Sequence, residues 1–334
     1  MQQQMFDLYL MPDFSLQASS SVIEVLRLAN ETLGWEAYGW RLLTLDGDPL
    51  RSGCGTRIVP DLSWEKVRGV QSARGTDAHP VVCGGNLVPE RFRPLEFWLR
   101  ECRYRQRRIV AIGSGLYALA RTGLAKGRRC AVHWEQFPAF TEAFPEITAV
   151  QTAFEIDGDL YTCPAGDAAF DMFLSIVERD FGRSAVNRIC EKAIAHRVRE
   201  KGERQRLPMQ TRLGIGHQPL IAIVERMEAH IGEPMALERV VDASSLSRRQ
   251  VERLFRRELG QSPARYYLNM RLERAQLLLR TSSLSVVEIA IACGFVSASH
   301  FSKTYRETYG VTPIETRGEA ARGRRRRQDA YAET

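Results

Sequence analysis

The sequence predicts a two-part chain: an α/β domain, a parallel sheet with helices on both faces, followed by an all-α domain with two helix-turn-helix units. Three observations predict it. Short apolar runs alternate with helical patterns from Phe6 to the helix that begins at Leu116, the rhythm of a sheet covered on both sides. After residue 218 the strand-like runs stop and apolar spacings of three and four take over. Between them, residues 196–217 are charged and poor in apolar side chains, which reads as a linker, helical at its start.

In the front half, residues 6–10 (FDLYL) read as a strand, 22–29 (VIEVLRLA) as a helix and 40–45 as a strand again. Residues 80–83 form a buried strand ending in Gly84-Gly85. Residues 109–112 form another, running into Gly113-Ser114-Gly115 and a helix from Leu116. Ligands of such sheets sit beyond the carboxyl ends of the strands, where both glycine turns fall. Glycine lets backbone N–H groups approach a ligand closely.

In the back half, 235–260 holds a short helix, a turn through Ala243-Ser-Ser-Leu246 and a capping box, Ser247-x-x-Gln250. The helix that follows puts Val251, Leu254, Phe255 and Leu259 on one face and Arg248, Arg249, Arg253, Arg256 and Arg257 on the other. An apolar-backed helix with open arginines suits a major groove, where the guanidinium fork reads guanine or clamps phosphate. Residues 284–313 repeat the arrangement, with a capping box at Ser285-x-x-Glu288, a helix stop at Gly294 and a second helix from Ser297. That helix carries Phe301, Tyr305 and Tyr309 on its apolar edge, with Lys303 and Arg306 outward. Ser262-Pro263 begins a long helix joining the two units.

Composition bounds the rest. With 44% hydrophobic and 26% charged residues the chain is ordinary globular protein. No apolar run approaches the roughly 18 residues of a membrane span, and the N-terminus lacks a basic n-region, so neither membrane nor secretion is expected. The seven cysteines form no C-x-x-C pair; reduced thiols in a cytoplasmic chain are expected, with no metal and no cofactor. Net charge is +7: residues 218–334 carry 19 Lys and Arg against 14 Asp and Glu, and 196–217 carry 6 against 2. This basic back half points to a polyanion partner, the alternative being a merely solvated basic surface.

Gly260-Gln-Ser-Pro263, Ala290-x-x-Cys-Gly-Phe295, Ser299-His-Phe-Ser302 and Tyr305-Arg-Glu-x-Tyr-Gly-x-x-Pro313 resemble the AraC/XylS-type transcription regulators over residues 218–318. The resemblance implies double-stranded DNA read in two adjacent major-groove half-sites. The groove-facing residues it implies are Arg248, Arg249, Glu252 and Arg253 in the first unit, and Ala298, Ser299, Ser302 and Lys303 in the second. Ala298 offers only an apolar contact, such as a thymine methyl. RNA polymerase contact, hence activation, is implied by the same resemblance. Residues 319–334, with Arg324 to Arg327, read as a disordered basic tail.

The front half, residues 1–195, resembles the class I glutamine amidotransferase-like (PfpI-like) superfamily, a flavodoxin-like fold, here as a ligand-sensing domain. Enzymes of that superfamily hold a Cys at the elbow; here the matching position is Gly113, so no catalytic residue is assigned. Ser114, with His133 as base, leaves one alternative open: an active amidase-like enzyme tethered to a DNA-binding domain. The combination of the two halves resembles a subgroup responding to betaines, carnitine, dimethylglycine or arginine, which implies a small nitrogen-containing effector and a homodimer. That group has Gly-Gly-Thr where this chain has Ala165-Gly166-Asp167. A quaternary ammonium wants aromatic faces and a carboxylate, and a ligand carboxylate wants backbone N–H groups. Glu24, Gly84, Gly85, Ser114, Gly115, His133, Trp134 and Glu135 are the candidates for those roles.

Overall fold

A computed structural model describes residues 3–67, 78–86, 88, 91–195, 198–242, 244, 246–282 and 284–332, with the backbone alone at 237, 241–242 and 324–332. The chain divides into two compact units whose boundary falls between Gln205 and Arg206.

The first unit is built on a seven-stranded sheet. Its spatial order is Glu155–Asp157, Leu160–Cys163, Ile109–Ile112, His79–Cys83, Gln4–Leu10, Tyr38–Thr44 and Leu62–Ser63. Every neighbouring pair is parallel except the first, a hairpin. The central strands are apolar on both faces because helices cover both. Phe6, Leu8, Val81, Val110 and Ile112 join the core under the helices Leu16–Leu33 and Ala168–Phe181. The alternate residues Tyr9, Val82, Ile109 and Ala111 join the core under Arg93–Tyr104 and Gly115–Arg121. The strand order reverses between Gln4–Leu10 and His79–Cys83, and that switch point opens the crevice beyond the strand ends where α/β sheets take ligands.

The first helix, Leu16–Leu33, is longer than the predicted 22–29 because Ser15 caps it and Gly34, at φ 77, ends it. The charged stretch expected to be a linker divides in two. Over 198–205 it lies on the first unit with no helix: Arg199 Nε donates to the buried Asp171 at 2.8 Å and the Ala153 N–H donates to Glu203 O at 2.6 Å. The expected helix at its start is replaced by one at Met209–Leu213, which Pro208 opens and Gly214, at φ 66, stops. Bonds to the first unit hold 199–205 in a turn-containing strap, and a local pattern does not reveal them.

The second unit is all helical. Gln218–Ala229, Leu237–Asp242 and Arg248–Leu259 enclose one apolar core with Leu220, Val224, Val251 and Phe255. Val286–Ala292 and Ala298–Tyr309 enclose a second with Ile289, Ala290, Phe301 and Tyr305. The helix Pro263–Thr281 serves both, Tyr267 in the first core and Leu272, Ala275 and Leu278 in the second. Both predicted capping boxes are formed, Ser247 with Gln250 and Ser285 with Glu288. Ala243 and Ser245 of the first turn lie outside the described residues. The helix Pro313–Ala332 runs through the segment read as a disordered tail, whose alanines and arginines are good helix formers. Among the described residues no helix is long and apolar enough to cross a membrane.

Candidate functional site

The two helices expected to enter DNA grooves, Arg248–Leu259 and Ala298–Tyr309, each bury an apolar face and expose a polar one. Ser247 and Ser297 cap them by accepting the third residue's N–H, and Gly260 and Gly310 end them in the left-handed region at φ 70 and 75. On the first, Arg248, Arg249, Arg253, Arg256 and Arg257 are exposed and Glu252 is half-buried, while Val251, Leu254 and Phe255 are buried. Arg248 is partly engaged, its Nη1 lying 3.1 Å from Glu238 Oε1. No ion pair or hydrogen bond engages the Arg249 or Arg253 side chain among the described residues, so both guanidiniums are available. On the second helix, Ser299 and Lys303 are exposed and Ala298 and Ser302 half-buried, over the buried Phe301, Thr304 and Tyr305. This open face has two cations, Lys303 and Arg306, where the first has five, so the two heads are chemically unequal.

At the sheet's carboxyl end the glycines pack against backbone. A Cβ on Gly84 would lie 2.4 Å from both Ser114 Oγ and Gly115 N, one on Gly85 1.7 Å from Asp13 O, and one on Gly115 2.3 Å from Val82 O. Gly113, at φ 57, would meet Gly84 O at 3.0 Å. Several of the amides are already engaged: Gly84 N–H donates to Ile112 O at 3.0 Å, Gly113 N–H to Cys163 O at 2.9 Å and Ser114 N–H to Gly85 O at 3.1 Å. The structure therefore brings Gly84, Gly85, Ser114 and Gly115 together as a tightly closed joint between strand ends. Ser114 is 1% exposed, and its Oγ has no hydrogen-bond partner among the described residues. Cys83 is strand core, its thiol pushed up to about 12 by burial.

Asp13 belongs to the same joint and went unread in the sequence. It is 5% exposed, sits at φ 64, and its Oδ2 accepts the Asn86 N–H at 3.3 Å. An Asp in the left-handed region after a strand is the only signal it leaves. Gln136 Nε2 donates to Asn86 O at 3.1 Å, which ties the segment after His133, Trp134 and Glu135 to the switch point. His133 is half-buried; its Nδ1 accepts the Glu135 N–H at 3.3 Å, and burial lowers its pKa against the opposing pull of Glu135. Gln205 Oε1 accepts the Trp134 N–H at 3.0 Å, and Gln205 Nε2 donates to Val132 O at 2.6 Å and Thr152 O at 2.9 Å. Glu24 lies on the outer face of its helix, where its carboxylate takes Arg27 Nε at 2.9 Å and Nη2 at 2.7 Å; nothing joins it to the elbow group. Ala165 takes φ 154 beside Gly166 at φ 60, a backbone that glycine adopts freely and that strains alanine by about 1–3 kcal/mol. Among the described residues no cluster of His, Cys, Asp and Glu could hold a metal ion.

Comparison with known proteins agrees with both halves. Residues 20–179 match the DJ-1/PfpI family and residues 240–319 the Helix-turn-helix domain family. The chain is 39% identical over 309 residues to the HTH-type transcriptional regulator GbdR of Pseudomonas aeruginosa, covering 92% of this chain and 82% of that one. It is 33% identical over 308 residues to the HTH-type transcriptional regulator CdhR of the same species, covering 92% and 90%. A crystal structure of an AraC family transcriptional regulator from Pseudomonas putida superposes with a TM-score of 0.51 at 25% identity, over 57% of this chain and all of that one. With a glycine at the nucleophile position and relatives matched over most of their length that are regulators, the chain belongs to the AraC-type DNA-binding transcription regulators with a DJ-1/PfpI-like front domain.

Proposed function

We propose that this regulator is a cytoplasmic homodimer that binds two adjacent major-groove half-sites, responds to a small nitrogen-containing metabolite and activates transcription through RNA polymerase. One observation carries the DNA part: two heads, each with its own core, share the 19-residue helix Pro263–Thr281. At 1.5 Å per residue that helix is about 28 Å long, commensurate with the roughly 34 Å between half-sites one turn apart. Arg249 and Arg253 supply base and phosphate contacts in the first half-site, with Arg248 assisting and Glu252 accepting from cytosine. Ser299, Ser302 and Lys303 act in the second, with Ala298 against a thymine methyl.

The effector's class rests on chemistry near the switch point. Asp13 offers a buried carboxylate there, Asp167 takes Gln17 at the start of the first helix, and Trp134 offers an aromatic face. A carboxylate and an aromatic face together suit a cationic nitrogen. Coupling to DNA runs through Gln205, which holds the Trp134 segment and is followed at once by Arg206, whose Nη1 bonds Glu228 of the second unit at 2.6 Å. A ligand that binds the two arrangements of this segment unequally shifts DNA affinity. The test is a thermal-shift screen of betaines, carnitine, amino acids and polyamines. Any compound that raises Tm is then titrated into full-length chain bound to a duplex selected from a random library. A stabilising compound that changes DNA affinity supports the reading; stabilisation with unchanged affinity rejects the coupling.

A further inference from the structure

The two heads of the second unit have separate apolar cores, and the shared helix Pro263–Thr281 bonds polar groups of both. Tyr267 and Arg271 are one turn apart on one face of the shared helix Pro263–Thr281. Tyr267 Oη donates to His230 O at 2.7 Å, in the segment that follows the first head's helix Gln218–Ala229. Arg271 Nε donates to Cys293 O at 2.8 Å and its Nη2 to Gly294 O at 2.7 Å, in the turn of the second head. Its guanidinium carbon also stands 4.2 Å from the centre of the Phe295 ring. A planar cation forked onto two successive carbonyls at a helix C-terminus meets the negative end of the helix dipole, which makes both bonds stronger than neutral ones.

The far side of the same turn rests on the first head. Gly294 sits at φ 72; a Cβ there would lie 2.3 Å from the Pro234 ring and 2.9 Å from Ile231 O. Gly232 lies in ordinary contact with the same region, its Cβ position 3.4 Å from Ala292 O. The Ile231–Pro234 segment and the Cys293–Gly294 turn are therefore pressed together, and one helix grips both with side chains four residues apart. Arg265, also on the shared helix, reaches the second head through Nη2 to Thr308 Oγ1, an exposed bond 3.4 Å long.

We infer that Arg271 and Tyr267, closing the Pro234–Gly294 junction, are positioning residues that set which spacing between half-sites the chain accepts. This rests on the two-half-site reading proposed above. Each added base pair moves the second half-site by about 3.4 Å and turns it about the duplex axis. A rigid junction turns that displacement into lost affinity, whereas a loose one lets the second head follow. Neither residue needs to touch DNA for this.

The experiment uses full-length chain and a duplex selected by the wild type from a random library, together with versions carrying one base pair more or fewer between the halves and a duplex holding one half alone. Wild type is expected to bind the re-spaced duplexes about tenfold more weakly than the parent. Arg271→Met, of similar length but without donors, is expected to shrink that penalty to about threefold or less while binding the single half as wild type does. If Arg271→Met lowers affinity for parent and re-spaced duplexes by one common factor, the inference is overturned. Should circular dichroism show that Arg271→Met does not fold, Tyr267→Phe, which removes only a hydroxyl, decides by the same ratio. A wild type indifferent to spacing would instead overturn the two-half-site reading, and this inference with it.

Discussion

Gln205 grips the Trp134 segment from both sides, accepting the Trp134 N–H at 3.0 Å while donating to Val132 O at 2.6 Å. One side chain thus closes the edge of the first unit and ends one residue before the second begins. Removing it leaves a partly buried donor and two acceptors unmatched, at about 1–3 kcal/mol each where water cannot replace it. Gln205→Ala is expected to free 199–205 locally and raise the rate of trypsin cleavage after Arg204 and Arg206 about tenfold, since each 1.4 kcal/mol of local opening is a factor of ten. An unchanged cleavage pattern would show that the backbone bonds of Glu203 and Gln205 hold the strap without it.

The arginines of the first reading helix are not equivalent. Arg248 is shared with Glu238, while Arg249 and Arg253 are available. Arg249→Ala and Arg253→Ala are each expected to weaken binding of the selected duplex by about 1–3 kcal/mol where the contact is to a base, and Arg248→Ala by less. A gel-shift titration at fixed salt compares the three. If Arg248→Ala proves the most damaging, its pair with Glu238 orients it toward DNA and the ranking is wrong.

The elbow joint is a steric object and responds to a methyl group. Gly85→Ala would put a Cβ 1.7 Å from a backbone oxygen, a clash that side-chain motion cannot relieve. Gly34→Ala meets open space and bears only the strain of φ 77, about 1–2 kcal/mol. The first is therefore expected to unfold the front unit or lower its Tm by far more than the second, as read by differential scanning calorimetry. Equal shifts would mean that the strand ends can part, leaving room for a ligand between them.

What could be read from the sequence was local. Ser247 with Gln250, Ser285 with Glu288 and the Ser262-Pro263 start are contacts within four residues, and each stands where the spacing puts it. The apolar strands announced a sheet covered on both faces because burial on both sides needs no partner to be named. What failed to show was long-range and polar. Gln205 reaches across more than fifty residues, and Arg271 across more than twenty, in segments whose composition says only that they are hydrophilic. Glu24 could have been set aside from its own helix, since Val22, Val25, Leu26 and Ala29 mark the buried face and Glu24 lies off it. The glycines at 84, 85 and 115 suggested room for a ligand, and the structure uses them to bring backbones into contact.

His79 offers a pH test confined to the first unit. It begins the strand His79–Cys83, where its Nδ1 accepts the Arg108 N–H at 3.2 Å and its ring lies 5.3 Å from that of Phe6. Burial, followed by the charges of Arg108 and Arg107, lowers its pKa from 6.5 to about 4, against the opposing pull of Asp180. The folded chain thus binds this proton less readily than the unfolded chain, so stability present above pH 6.5 is lost as pH falls toward 4. From pH 7.5 to pH 5 the loss attributable to this group is about 2 kcal/mol. All five tryptophans precede residue 135, so fluorescence-detected urea unfolding reads the first unit alone. His79→Gln keeps an acceptor for the Arg108 N–H but cannot take up the proton. Its unfolding free energy is expected to fall less than that of wild type over the same interval, by about those 2 kcal/mol. Parallel curves for the two proteins would mean that the imidazole is protonated inside the fold, and that the Arg108 N–H has another partner.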